Sequence, residues 1–218
     1  MACITRGHSG SNGCMMILFY APNSCALAAH LALELSGLPY EARRVDFARN
    51  EQRSAEFLAI NPKGRVPALL TEHGVLTENP AILAYICQCR PEAGLGPVHD
   101  NFAFAQLQSF NSYLASTVHV AHAHRYRGYR WADDADAIDA MKHKVPQNMR
   151  ECFRLIDKEL LQGPWVLGAE LSVCDLYLFT IGRWLPGDEV DIKEFPRVAD
   201  HATRIQQIPA VQRVLALQ

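Results

Sequence analysis

The stretch ILFYAPNSCALAAHLALELSG, Ile17 to Gly37, decides how the chain folds. An apolar run ends at Tyr20, and Pro22, Asn23, Ser24 and Cys25 follow. A short apolar run bounded by turn residues reads as a buried strand. The segment from Cys25 to Ser36 reads as a helix that Gly37 stops. A cysteine therefore falls on the first turn of a helix, at the mouth of a strand. The first backbone N–H groups of a helix lack partners and carry partial positive charge. A thiol held there is expected to have a lowered pKa and to act as a nucleophile.

On the N-terminal side, residues 1–15 are rich in Gly and Ser and show no periodicity, so a disordered extension is expected there. The segment lacks the apolar region of a signal peptide, and Met15 or Met16 makes a natural start. On the C-terminal side, YEARRVDF alternates like a strand and SAEFLAINPKG reads as a short helix or turn before Pro62. VPALLTEHGVLTE reads as a hairpin, and NPAILAYICQCR as a helix entered at Glu78 or Asn79 with Pro80 in its first turn. The order β-α-β-α-β-β-α over residues 16–90 is that of a thioredoxin-like α/β domain.

RPEAGLGPVHD, rich in Pro and Gly, reads as a linker, and the residues from 98 to 218 read as an all-α domain. NFAFAQLQSFNSYLASTVHVAHAHRYR has helical spacing. DADAIDAMKHK and VPQNMRECFRLIDKELLQG read as two helices, with Pro146 in the first turn of the second. Ser172-Val-Cys-Asp175 is a capping box ahead of an apolar helix, with Leu171 and Leu176 placed as its hydrophobic staple.

Composition excludes several functions. The net charge of −2 and the lack of a basic stripe leave no nucleic-acid partner expected. No apolar run approaches the ~18 residues of a membrane helix, so no membrane partner is expected. The seven cysteines are odd in number and include no Cys-x-x-Cys, which fits neither a disulfide framework nor a zinc site. Free thiols point to a reducing, cytoplasmic location. His119 and His122 lie ~60° apart on a helix and His124 falls off their face, so no metal is expected.

Two further pieces suit a peptide-like ligand. In NPKGRVPALL, a cis bond at Val66-Pro67 would leave the Val66 N–H and C=O free to pair with an extended peptide. In LTENPAIL, Glu78 can accept from an ammonium while the helix N-terminus and Asn79 receive a carboxylate, which together match an α-amino acid head group.

The strand-loop-cysteine, the NPKGRVPALL turn, the TENPAI helix entry and the capping box, in this order, resemble the cytosolic glutathione transferases. The chain is most similar to the bacterial beta class, over about 200 residues from Met16 on. The resemblance implies a homodimer that uses glutathione as co-substrate. Cys25 would face the glutathione sulfur, with His119 approaching from the helical domain. Val66 would pair with the cysteinyl unit, and Glu78 and Asn79 would hold the γ-glutamyl head. Arg65 stands where the family often has Gln and could bind a carboxylate. Ser112 and Thr117 match positions near glutathione, Thr117 across the dimer interface. Trp184 and Tyr20 would line a pocket for a hydrophobic electrophile, and Tyr20 and Ser24 lie close enough in sequence to be alternative hydroxyl donors to a thiolate. The family usually has Lys where Val120 stands, so one cationic group is missing there. The implied activity is conjugation of glutathione to small hydrophobic electrophiles in detoxification, with thiol-disulfide exchange through Cys25 as a further activity. The alternative is a non-catalytic module of the same fold that serves protein assembly or stress regulation.

Overall fold

The structure, a computed structural model, describes residues 15–218. The extension read over residues 1–15 thus lies outside the described residues except for Met15. The first half runs β1 (Met16–Tyr20), α1 (Ala26–Ser36), β2 (Tyr40–Arg44), α2 (Ala55–Ile60), β3 (Ala68–Thr71), β4 (Gly74–Thr77) and α3 (Asn79–Cys89). The second half carries α4 (Asn101–Tyr113), α5 (His119–Arg127), α6 (Ala135–Leu155), α7 (Val173–Gly182), α8 (Pro196–Gln206) and α9 (Pro209–Leu215).

The strands form one mixed sheet in the order β2-β1-β3-β4. β1 pairs in parallel with β2 and antiparallel with β3, while β3 and β4 form the expected hairpin. A parallel pair needs a crossover, and α1 supplies it. Gly37 ends that helix in the left-handed conformation at φ 68, which a glycine adopts without steric cost. Every residue of α1 from Ala26 to Leu33 is buried. A helix that is apolar all round must be covered on all sides. α3, α7 and α9 pack on it, so α1 is the shared axis of the sheet half and the helical half.

α4 and α5 are joined by a π-helical turn, Leu114–Val118, into one rod. Such a turn interrupts the regular ladder and is frequent at functional sites. α6 corrects the sequence reading. DADAIDAMKHK and the segment after it are one helix, and Pro146 lies inside it rather than in a first turn. Val145, Met149, Cys152 and Phe153 make its buried stripe. That packing carries the helix through a residue with no N–H to give.

The capping box at α7 is present. The Asp175 carboxylate is fully buried and accepts from Ser172 N (2.7 Å), Ser172 Oγ (2.8 Å), Val166 N (2.6 Å) and His201 Nε2 (2.9 Å). One side chain thus closes the start of α7 and ties it to the loop at Val166 and to α8. No helix among the described residues is long and apolar enough to cross a membrane.

Candidate active site

Where β1 ends, the chain turns through Asn23, at φ 56, into α1. Ser24 Oγ donates to Ala21 O (2.7 Å) and accepts from Ala26 N (3.3 Å), which holds the turn. Cys25 occupies the cap position with a helical backbone. Its thiol donates to Val66 O at 3.5 Å, and its own carbonyl accepts from Asn79 Nδ2 at 2.8 Å. Cys25 is therefore pinned between the turn before β3 and the start of α3, 41 and 54 residues further on.

The thiol does not have the lowered pKa that its place at the helix start suggested. Burial pushes it up to about 11, against opposing pulls from the Arg127 charge and from its own backbone N–H. The helix end acts as expected in sign, but desolvation of a thiolate outweighs it. Cys25 is a neutral hydrogen-bond donor at physiological pH.

The Val66-Pro67 bond is cis. Among the described residues nothing accepts the Val66 N–H, although Val66 is buried. Asn61 shapes this turn by donating to Arg65 O (2.6 Å) and accepting from Lys63 N (3.2 Å). A Cβ at Gly64 would meet Gln52 O at 2.9 Å, and its φ is +61, so the turn requires glycine there. Glu78 has a left-handed backbone at φ 73, a costly conformation for a residue with a Cβ. Its carboxylate is exposed and bonds the Lys63 ammonium, which also donates to Thr77 Oγ1 at 2.7 Å. An ammonium thus already sits where one was expected from a ligand. Asn79 is buried, and its amide serves Cys25 instead of facing outward to a ligand carboxylate.

The opposite wall comes from α5 and the end of α7. Trp184 Nε1 donates to Asn23 O at 3.1 Å, joining the two walls beside Cys25. The Trp184 ring stacks on His122 (4.4 Å, 24°) and lies 4.9 Å from His119. His122 Nδ1 is 2.7 Å from Oδ2 of Asp188, which is fully buried. His119 is held neutral. Burial, followed by the charges of Arg127, His122, Arg65 and Arg130, lowers its pKa to about 3. His124 stands apart, packed on Trp131 at 4.3 Å.

Between these walls lies a cleft of about 950 Å³. Cys25, Arg65, Val66, Glu78, Asn79, His119 and Trp184 all line it. Three residues proposed from sequence do not. Tyr20 is buried in β1, with its hydroxyl donating to Leu217 O (3.4 Å) and its ring 5.0 Å from that of His30. A strand alternates faces, and Tyr20 falls on the face that the last residues of the chain cover. Ser112 and Thr117 are exposed and lie outside the lining of their own chain's cleft. Sequence reading missed the role of Lys63 and the positions of Arg53, Arg127 and Arg130 in the cleft. The run RYRGYR, Arg125 to Arg130, reads from its composition as either a solvated or an anion-facing segment, and its place in the cleft depends on how α5 docks.

Residues 15–88 match the family model for the glutathione S-transferase N-terminal domain, and residues 122–217 the C-terminal domain. A glutathione transferase homolog from sulfitobacter, crystallised with bound glutathione, is 42% identical with a TM-score of 0.89, over 93% of this chain and 98% of that one. The chain belongs to the glutathione S-transferase family. The bacterial beta class transferase of Sphingomonas chungbukensis is 34% identical with a TM-score of 0.81, over 92% of this chain and 98% of that one. Glutathione S-transferase GstA of Escherichia coli O157:H7 is 29% identical over 206 residues, 93% of this chain and 98% of that protein. Within the family, the two matched domains supply the two walls of the cleft, the first carrying Cys25, Val66 and Glu78 and the second His122, Arg127 and Trp184.

Proposed function

We propose that this chain binds reduced glutathione in the half of the cleft formed by Cys25, Arg65, Val66 and Glu78, and transfers its sulfur to an electrophile held near Trp184. The observation that carries this reading is the pairing, on one wall, of an unsatisfied backbone N–H with an ammonium-binding carboxylate. The Val66 N–H has no acceptor among the described residues, and Glu78 holds an ammonium beside a helix N-terminus. Glutathione would lie along Val66 like an added strand, with its own ammonium joining or displacing Lys63 at Glu78. Arg65 and Arg53 are placed to take carboxylates.

The protonation states favour conjugation as the main reaction. Cys25 keeps its proton to about pH 11, so it donates to the glutathione thiolate instead of attacking. His119 is too weak a base to take the thiol proton and serves as a neutral donor on the same sulfur. The thiol proton goes to solvent. Thiol-disulfide exchange through Cys25 is the secondary activity, because it requires Cys25 itself to ionise. The protein works as a homodimer in the cytoplasm, with the exposed Ser112 and Thr117 available to the partner's site.

Replacing Glu78 by Gln removes the charged acceptor and should weaken glutathione binding at least tenfold, about 1.4 kcal/mol, by calorimetric titration. Unchanged affinity would leave Glu78 as a helix cap and favour the non-catalytic module, which would also pass an immobilised-glutathione column without retention.

A further inference from the structure

The charge lining the cleft exceeds what glutathione can neutralise. Arg53, Arg65, Arg127, Arg130 and Arg183 all line it, and none forms an ion pair among the described residues. The one acid of the lining among the described residues, Glu78, is matched by Lys63. Glutathione brings two carboxylates and one ammonium, and a thiolate when activated. Arg53 and Arg65, on the sheet side, suffice for its carboxylates. Arg127, Arg130 and Arg183 remain on the helical side, beside Tyr126, Tyr129 and Trp184.

Arg127 is the telling member. It is half-buried, has no hydrogen-bond acceptor among the described residues, and lies close enough to Arg130 to be destabilised by it. A charge held out of water without a partner is costly. Of the acids at the end of the helical wall, Glu189 is bonded to Arg125 and Asp188 to His122, so neither is free to pair with it. Arg130 and Arg183 spread over aromatic rings, at 6.0 Å from Tyr129 and 5.8 Å from Phe179. With Tyr126, Tyr129 and Trp184 beside these arginines, this wall of the cleft is aromatic and cationic.

Building on the glutathione reading above, we infer that the helical half of the cleft takes an electrophile bearing a carboxylate on a flat apolar body, with Arg127 binding the carboxylate and Arg130 and Arg183 completing its neutralisation. The body stacks against the aromatic wall and the reacting carbon faces the glutathione sulfur. For an aryl chloride, the sulfur forms a bond to the ring carbon, the chloride leaves with the C–Cl electron pair, and the thiol proton passes to solvent. Nothing is oxidised or reduced.

The test compares 4-chloro-3,5-dinitrobenzoate with its methyl ester. Each catalysed rate is divided by the uncatalysed rate with glutathione at the same pH and salt. The carboxylate should be preferred by about tenfold or more at low ionic strength, since a charge-assisted pair is strong only when poorly screened. The preference should shrink in ~0.5 M salt. It should collapse in Arg127→Gln and survive in part in Arg127→Lys. Arg183→Gln, at an exposed position, serves if Arg127→Gln does not fold. Equal or greater activity on the ester, or a preference that both Gln variants leave intact, overturns the inference while the glutathione reading stands. If neither compound turns over, calorimetry with the two glutathione S-conjugates decides. Tighter binding of the carboxylate conjugate supports the inference, and equal affinity rejects it. A chain that binds neither conjugate nor glutathione rejects the glutathione reading and the inference together.

Discussion

Cys25 and His119 face the same cleft in the opposite of their familiar roles, a cysteine that keeps its proton and a histidine that refuses one. The position of Cys25 was legible in the sequence, because strand, turn and helix are local. Its pKa was not, because the groups that bury and bond it come from Val66 and the helical wall. Alkylation of Cys25 by iodoacetamide, followed by peptide mapping, should therefore stay slow at pH 7–8 and climb only toward pH ~11, later than for an ordinary thiol of pKa ~8.5. For the same reason Cys25→Ala should lower conjugation by no more than roughly tenfold but abolish exchange by at least ~10³-fold, read in paired assays with an aryl halide and a glutathione mixed disulfide. His30 adds a stability consequence. It is fully buried between the rings of Tyr20 and Tyr40, both its nitrogens lack partners among the described residues, and burial lowers its pKa. His30 and His119 both stay neutral in the fold and take protons on unfolding. Their stabilisation is present above the unfolded pKa of ~6.5 and is lost as pH falls below it. The urea midpoint should drop below pH ~6.5, and His30→Leu should flatten that drop. An unchanged slope would mean that His30 is protonated inside the fold.

At the level of elements, periodicity and caps gave the sheet and most helices, and failed where packing overrides a local rule. Pro146 is the clearest case, since its missing N–H argued for a helix start that the buried stripe of α6 overrules. Pro146→Ala should restore a hydrogen bond and raise stability by about 1–3 kcal/mol, which is ~2–12 °C in Tm for a chain of this size. A lower Tm would show that the ring packs usefully where it stands. Asp175 shows the reverse. The sequence reveals a capping box, normally worth ~1 kcal/mol. It does not reveal that the carboxylate is fully buried and also holds Val166 N and His201. Asp175→Ala strips a buried network of its acceptor and should cost about 3–5 kcal/mol, seen as a lower urea midpoint and poor yield of folded protein. A loss near 1 kcal/mol would reduce the network to a simple cap.

Across the whole molecule, the net charge of −2 conceals a strongly positive cleft. Composition alone gave no hint of it, because acids elsewhere on the surface offset the arginines that the fold gathers. A cleft of one sign focuses field lines on an anionic ligand. The kcat/KM for glutathione should fall several-fold between ~20 mM and ~300 mM salt, with Arg65→Gln showing a shallower dependence. The same whole-molecule view gives meaning to the placement of α9. Its neighbour in space is α1, Arg213 bonds Glu34 (2.9 Å), and Leu217 O takes the Tyr20 hydroxyl. The sheet half leaves the ribosome first, yet α9, which covers its central helix, is translated long after it. Until α9 clears the exit tunnel, the apolar face of α1 stays exposed on the nascent chain, so synthesis of a chain truncated before Pro209 would leave a product dependent on chaperones.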